Sequence, residues 1–97
     1  MSKNTLQYRT DLGGTYTFRL EGGHAIANAG VGPDWLTVYL IETDPKYLNQ
    51  GEATRLLEEL KRRCENTGRS MAMWYPMNPI AKHLCEKLGL KIVGGEE

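Results

Sequence analysis

The feature that most constrains the fold is a change in hydrophobic period near Gly51. Before this glycine, residues 35–43 read WLTVYLIET, a nearly unbroken apolar and β-branched run that is typical of a buried strand. After it, apolar residues recur with the spacing of one stripe of an amphipathic helix. This helical pattern ends near Gly68. That stripe comprises Ala53, Leu56, Leu57, Leu60 and Cys64. A buried strand followed by an amphipathic helix predicts a crossover connection and therefore a parallel neighbour for the strand.

The rest of the second half repeats this alternation. Residues 71–75 form a short apolar run, and Pro76 and Pro79 bracket a break after it. The next helical stripe is closed by Gly89, and residues 90–93 predict a last strand. We therefore predict a β-α-β-α-β order from the central strand onwards.

The first half has the period of strands alone. Residues 15–21, TYTFRLE, alternate like a half-buried strand, the two glycines at 22–23 signal a hairpin, and residues 24–29 return. Residues 6–9 predict an additional edge strand. The chain is thus expected to be one α+β domain over residues 1–97, with antiparallel N-terminal strands joined to the β-α-β-α-β part in a mixed sheet.

Composition narrows the class of protein further. Lys and Arg together number 12, as do Asp and Glu, so the net charge of zero gives no strong signal for nucleic acid or an anionic membrane. No signal peptide and no membrane-spanning run is recognisable, which predicts a cytoplasmic protein. Cys64 and Cys85 lie in separate predicted helices without CxxC spacing, so we expect reduced thiols and no metal site.

The segment between the central strand and the first helix carries the strongest functional signal. Residues 44–55 form a strand-to-helix turn, with small residues at Gly51 and Ala53. The first N–H groups of a helix lack intrahelical partners and lie at the positive end of its dipole, so such a turn can hold a phosphate group. By itself a G-x-A turn is more often an ordinary helix start.

Two longer motifs resemble a known family. Residues 41–57, IETDPKYLNQGEATRLL, are similar to the segment of GNAT N-acetyltransferases in which a strand end, D-P-x-Y and Q/R-x-x-G-x-G/A lead into the cofactor-binding helix. Residues 78–90, NPIAKHLCEKLGL, resemble that family's N-x-x-A-x-x-L-Y-E-K-L-G-F segment. The resemblance implies a GNAT-like fold, acetyl-CoA as the donor, and direct attack of an amine on its thioester.

The resemblance also assigns residues to the cofactor. The pantetheine arm would lie along residues 41–43, the pyrophosphate would bind the N–H groups of residues 50–54, and Asn78 would face the cofactor arm. Arg55 could reach the 3′-phosphate, with a simple exposed helix charge as the alternative. The positions concerned are Ile41, Thr43, Leu48, Asn49, Gln50, Gly51, Glu52, Ala53, Thr54, Arg55 and Asn78.

Three residues are candidates for proton transfer. Glu42 matches a position that supplies a base in several family members, with a solvated strand-end carboxylate as the equal alternative. Cys85 occupies the place of the family's frequent tyrosine acid, although a small buried packing residue is the simpler interpretation. Tyr75 is a further candidate acid, and strand tyrosines are more often packing residues.

The chain also departs from the family pattern. Leu48 stands where the family usually has Gln or Arg, only residues 11–14 separate the early strands where two helices are usual, and the family's final strand is not recognisable.

Both remaining helices should cover the same sheet face, whereas residues 35–41 are apolar on both faces. We therefore expect a homodimer or a protein partner on the helix-free face. A degenerate domain that binds CoA or a protein partner without turnover is the alternative function, and the sequence does not identify the amine acceptor.

Overall fold

The computed structural model of the chain describes residues 5–11, 13–48, 50–74 and 79–94. Within these residues the strands are β1 (Leu6–Thr10), β2 (Thr15–Leu20), β3 (Ala25–Val31), β4 (Trp35–Thr43), β5 (Ser70–Trp74) and β6 (Lys91–Val93). The helices are α1 (Glu52–Asn66) and α2 (Pro79–Leu88), and a 3₁₀ turn spans Pro45–Tyr47. The order of elements and most of their bounds follow the hydrophobic periods of the sequence.

The strands form one mixed sheet in the order β1-β2-β3-β4-β5-β6. The pairs from β1 to β4 are antiparallel, and β4-β5 and β5-β6 are parallel. This confirms the predicted α+β architecture, in which antiparallel N-terminal strands precede a β-α-β-α-β unit. Because the two crossovers advance the sheet in one direction, right-handed connections place α1 and α2 on the same face.

The core lies between these helices and one face of the sheet. Leu56, Leu57 and Leu60 of α1 are fully buried, and they pack in one cluster with buried residues of the sheet and of α2. Alanines at alternate positions of β3, including Ala27 and Ala29, present no bulk toward this cluster, so α1 can approach the sheet closely. Each buried leucine stabilises the fold by about 1.5–3 kcal/mol relative to an exposed one.

The opposite face of the sheet carries exposed apolar side chains. Trp35, Tyr39, Leu40 and Trp74 are each between 41 and 47% exposed. The Tyr39 ring approaches Gly30 so closely that a Cβ there would lie 3.0 Å from its hydroxyl, and its centroid is 5.9 Å from that of Trp74. We call these four residues the open-face patch.

Cys64 and Cys85 are both buried and free. Among the described helices, none has the length and hydropathy needed to cross a membrane.

Candidate functional site

The parallel strands β4 and β5 separate halfway along β4. Their paired residues run from Trp35↔Ser70 to Val38↔Met73. On the other edge of β4, Ala29 pairs with Val38 while Asn28 pairs with Leu40, so Tyr39 is the extra residue of a β-bulge. Residues 40–43 continue along β3, but in the described part of the chain they have no partner in β5. Alternate backbone N–H and C=O groups of this segment therefore face away from β3.

A cleft opens where the strands diverge. It has a volume of about 450 Å³ and is lined on the sheet side by residues 41–45 and on the helix side by Ala53 of α1 and Ala81 and Leu84 of α2. A smaller hollow of about 170 Å³ continues from it and shares Thr43, Leu48, Ala53 and Leu84 with the cleft. Together they form one groove from the free strand edge to the first turn of α1.

The first turn of α1 ends this groove. Gly51 is the N-cap residue with φ of 76°, a left-handed conformation that glycine adopts without strain, and it makes no side-chain cap. The first helical bond runs from the Arg55 N–H to the Gly51 carbonyl, at 3.0 Å. The N–H groups of the residues in between have no intrahelical acceptor and lie at the positive end of the dipole.

The segment before α1 is shaped by its own hydrogen bonds. Asp44 caps the 3₁₀ turn by accepting the Lys46 N–H at 3.0 Å, and its own N–H donates to the His24 carbonyl at 2.9 Å. These bonds place Leu48, which is 46% exposed, along the wall of the groove. The residue that departs from the family pattern thus contributes an apolar surface there.

Several predicted cofactor residues meet at this groove. Ile41, Thr43, Leu48, Gly51, Glu52, Ala53 and Thr54 all line it. Gln50 is exposed, and its carbonyl accepts a bond of 3.3 Å from Nη1 of Arg55, which lines a separate 270 Å³ hollow next to the β2-β3 turn. Asn49 and Asn78 lie outside the described residues.

A cluster that the sequence did not reveal lies behind the first turn of α1. The Glu52 carboxylate accepts the backbone N–H of His24, and its Oε2 lies 3.0 Å from His24 Nδ1. The imidazole is stacked on Tyr47, with ring centroids 3.5 Å apart and planes 4° from parallel. These hydrogen bonds from His24 hold the pKa of Glu52 below its usual value. We call His24, Tyr47 and Glu52 the His24 cluster; the histidine is 28 residues from Glu52, too far for a local motif to reveal the pair.

The candidate proton-transfer residues have different environments. Glu42 is exposed at the end of β4, next to the cleft, and its register with Ile26 places it on the face away from the core. Cys85 is fully buried in α2, with its thiol 3.6 Å from the Leu90 carbonyl, and burial raises its pKa. This environment supports the packing interpretation of Cys85. Tyr75 lies outside the described residues.

Among residues 5–11, 13–48, 50–74 and 79–94, no three His, Cys, Asp or Glu side chains converge in a way that could hold a metal ion. The groove is lined by backbone amides and apolar walls, by the carboxylates of Glu42, Asp44 and Glu52, and by the hydroxyl groups of Thr43, Tyr47 and Thr54.

Comparison with known proteins identifies the family of the chain. The profile of the Acetyltransferase (GNAT) family matches residues 2–90. No curated protein sequence matches the chain significantly.

Solved structures resemble the fold over most of the chain. The ribosomal-protein-S18-alanine N-acetyltransferase from Escherichia coli is 29% identical with a TM-score of 0.63, over 84% of this chain and 52% of that one. Ard1 from Thermoplasma volcanium is 14% identical with a TM-score of 0.60, over 78% of this chain and 54% of that one. Aminoglycoside N-acetyltransferase AAC(6')-Iy, solved in complex with CoA, is 18% identical with a TM-score of 0.60, over 90% of this chain and 66% of that one.

The chain therefore spans between about half and two-thirds of the length of these structures. Since the family profile covers nearly all of the sequence and the fold agrees with it, the chain belongs to the GNAT acetyltransferase family.

Proposed function

We propose that the chain binds acetyl-CoA in the groove between β4 and α1 and transfers the acetyl group to an amine by direct attack. The observation that carries this proposal is the separation of β4 from β5 after Val38, which frees the edge of residues 40–43 and opens it toward the first turn of α1. The groove combines the two kinds of group that acyl-CoA requires. These are a strand edge for the amides of the pantetheine arm and helix N–H groups for its phosphates.

The residues of the groove divide between these tasks. The N–H groups of Gly51, Glu52, Ala53 and Thr54 would hold the pyrophosphate, and the small side chain of Ala53 lets the backbone approach it. Leu48 would pack against the pantetheine methylenes instead of offering a polar side chain to the phosphate. Arg55 would have to leave the Gln50 carbonyl to reach the 3′-phosphate, because it is turned toward that carbonyl in the structure.

Acetyl-CoA would supply an activated thioester, and the chain must prepare the amine. Glu42 is the best-placed base, since it is exposed beside the cleft. Cys85 is a weaker candidate acid, because its thiol donates a hydrogen bond to the Leu90 carbonyl within the core. Asn78 and Tyr75 stay predictions from the family motifs.

The proposal is tested in two steps. Calorimetry should show acetyl-CoA binding, and thiol release on addition of a panel of amines should show turnover. Glu42→Gln should lower kcat by about 100-fold, the typical contribution of a positioned base, whereas Glu58→Gln on the exposed face of α1 should not change it. Absence of acetyl-CoA binding at millimolar concentration would refute the proposed function.

A second function, CoA binding without turnover, is favoured by the burial of Cys85, which occupies the position of the family's usual acid. It predicts the same calorimetric binding but no thiol release with any amine. The same pair of assays therefore separates the two functions.

We also propose that the open-face patch is the contact surface of a homodimer. Two tryptophans, a tyrosine and a leucine that are all more than 40% exposed form an unusually apolar surface for one face of a small sheet. Light scattering at micromolar concentration should give twice the monomer mass of 10.9 kDa, and Trp74→Lys should give the monomer. Lys82→Glu, an exposed change on the helix face, should leave the dimer intact. A monomeric wild-type protein would refute this part of the proposal.

A further inference from the structure

Glu52 introduces an electrostatic conflict into the proposed cofactor groove. It is the first residue of α1, and its backbone N–H is one of the groups proposed to bind the pyrophosphate. Its carboxylate is ionised, because the hydrogen bonds from His24 lower its pKa. A negative charge at this point interacts favourably with the helix dipole, but it repels an incoming phosphate.

The structure shows how this carboxylate is held. Both of its oxygens are engaged by His24, one by the backbone N–H and the other by the imidazole, and only 13% of its side chain is exposed. Oε1 lies 3.5 Å from the position of a Cβ at Gly23, so the carboxylate lies against the β2-β3 turn. The imidazole in turn lies flat on Tyr47, which lines the small hollow of the groove.

The direction of the hydrogen bond between His24 and Glu52 follows from the charge of the carboxylate. An ionised carboxylate only accepts hydrogen bonds, so Nδ1 of His24 carries the proton that it donates to Oε2 of Glu52. Among the described residues, the His24 side chain also contacts Tyr47, and its backbone carbonyl accepts the Asp44 N–H.

We propose that His24 is a positioning residue for the cofactor phosphates, which holds the Glu52 carboxylate against the β2-β3 turn and so limits its repulsion of the phosphates. This inference rests on the proposed function, because it concerns how the same groove accepts a polyanion. It assigns to the hairpin turn between β2 and β3 a part in cofactor affinity. A Glu52 carboxylate that the imidazole no longer holds can move toward the phosphates, and acyl-CoA then binds more weakly.

The test is the acetyl-CoA affinity of four variants measured by calorimetry at one pH near neutrality. His24→Phe keeps the backbone N–H that binds Glu52 and a ring that can stack on Tyr47, but it removes the side-chain hydrogen bond to Oε2. It should bind acetyl-CoA about fivefold more weakly than the wild type, as expected when a like charge is free to move closer to the phosphates.

Glu52→Gln removes the repulsive charge and should bind acetyl-CoA about fivefold more tightly than the wild type. Adding His24→Phe to Glu52→Gln should change the affinity no further, because the charge that His24 positions is then absent. His83→Gln, at the exposed histidine of α2, is the matched control and should bind acetyl-CoA as the wild type does. Wild-type affinity of His24→Phe, a further loss of affinity in the double variant, or weaker binding by a folded Glu52→Gln variant would overturn the inference while leaving the proposed function intact. A wild type that binds no acetyl-CoA would refute the proposed function instead.

Discussion

Alanine substitution at the two ends of α1 gives a matched pair that separates backbone strain from cofactor binding. Gly51 precedes the helix with φ of 76°, and Gly68 follows it with φ of 74°. A Cβ at Gly68 would meet nothing within 4 Å, and one at Gly51 would meet only the flexible end of the Arg55 side chain at 3.4 Å. The two substitutions therefore impose nearly the same strain on the same helix, but only one lies at the groove.

The magnitudes follow from the backbone geometry. A left-handed conformation costs an L-residue about 1–2 kcal/mol relative to glycine, and both variants should lose this amount of unfolding free energy. In a domain of this size each 1 kcal/mol lowers Tm by about 4–8 °C. Relaxation of the strain in Gly51→Ala should also turn one N–H away from the phosphate. A hydrogen bond to a charged group contributes about 1.5 kcal/mol or more, so acetyl-CoA affinity should fall about tenfold.

The assay is thermal unfolding of both variants, followed by calorimetric titration with acetyl-CoA below their transitions. We expect equal losses of Tm in the pair and weaker acetyl-CoA binding in Gly51→Ala alone. Equal affinities of the two variants and the wild type would show that the first turn of α1 does not bind the phosphates.

Three further predictions concern single side chains. Leu48→Gln should weaken acetyl-CoA binding about threefold in calorimetry without changing Tm, because the 46% exposed leucine would gain its apolar contact only from the pantetheine arm; tighter binding would show that a polar side chain at this position reaches the cofactor instead. Cys85→Ala should lower unfolding free energy by about 1 kcal/mol and leave kcat within about threefold of the wild type, because the buried thiol packs in the core; a 100-fold loss of kcat would restore it as the acid. The pKa of Asp11 is held below its usual value by hydrogen bonds from Thr17, Arg9 and Asn28 against the opposing effect of burial. The stability that Asp11 contributes is therefore present above its unfolded pKa of about 3.9 and lost as pH falls through its folded pKa, so Tm of the wild type and Asp11→Asn should converge in acid, and a constant difference down to about pH 2 would contradict this.

The periodic parts of the fold were predictable from the sequence because their cause is local. The leucine stripe of α1 and the alternation in β2 each record which side of the element faces the core, and the two crossovers fix the parallel order of β4, β5 and β6. The position of the groove at the end of β4 was predictable from the family motif around Gly51.

Other features depend on contacts between distant residues and could not be predicted in this way. The bulge at Tyr39 lies within an apolar run that predicts one continuous strand. It could not be predicted from the sequence, because a bulge needs no particular side chain. Glu52 reads as an ordinary acidic residue of a first helical turn, and only the hairpin between β2 and β3 brings His24 to it. The family motif predicted which position Cys85 occupies, but it did not predict that the thiol is buried. That burial depends on how α2 packs into the core.

The central claim is that acetyl-CoA lies along the free edge of β4 with its phosphates on the first turn of α1. Amide chemical shifts of the ¹⁵N-labelled chain, recorded during titration with acetyl-CoA, test it most directly. We predict that the largest changes occur at Gly51, Glu52, Ala53 and Thr54, together with residues 40–43. Changes confined to the open-face patch or to β1 and β2, with the amides of the first turn of α1 unmoved, would contradict the claim.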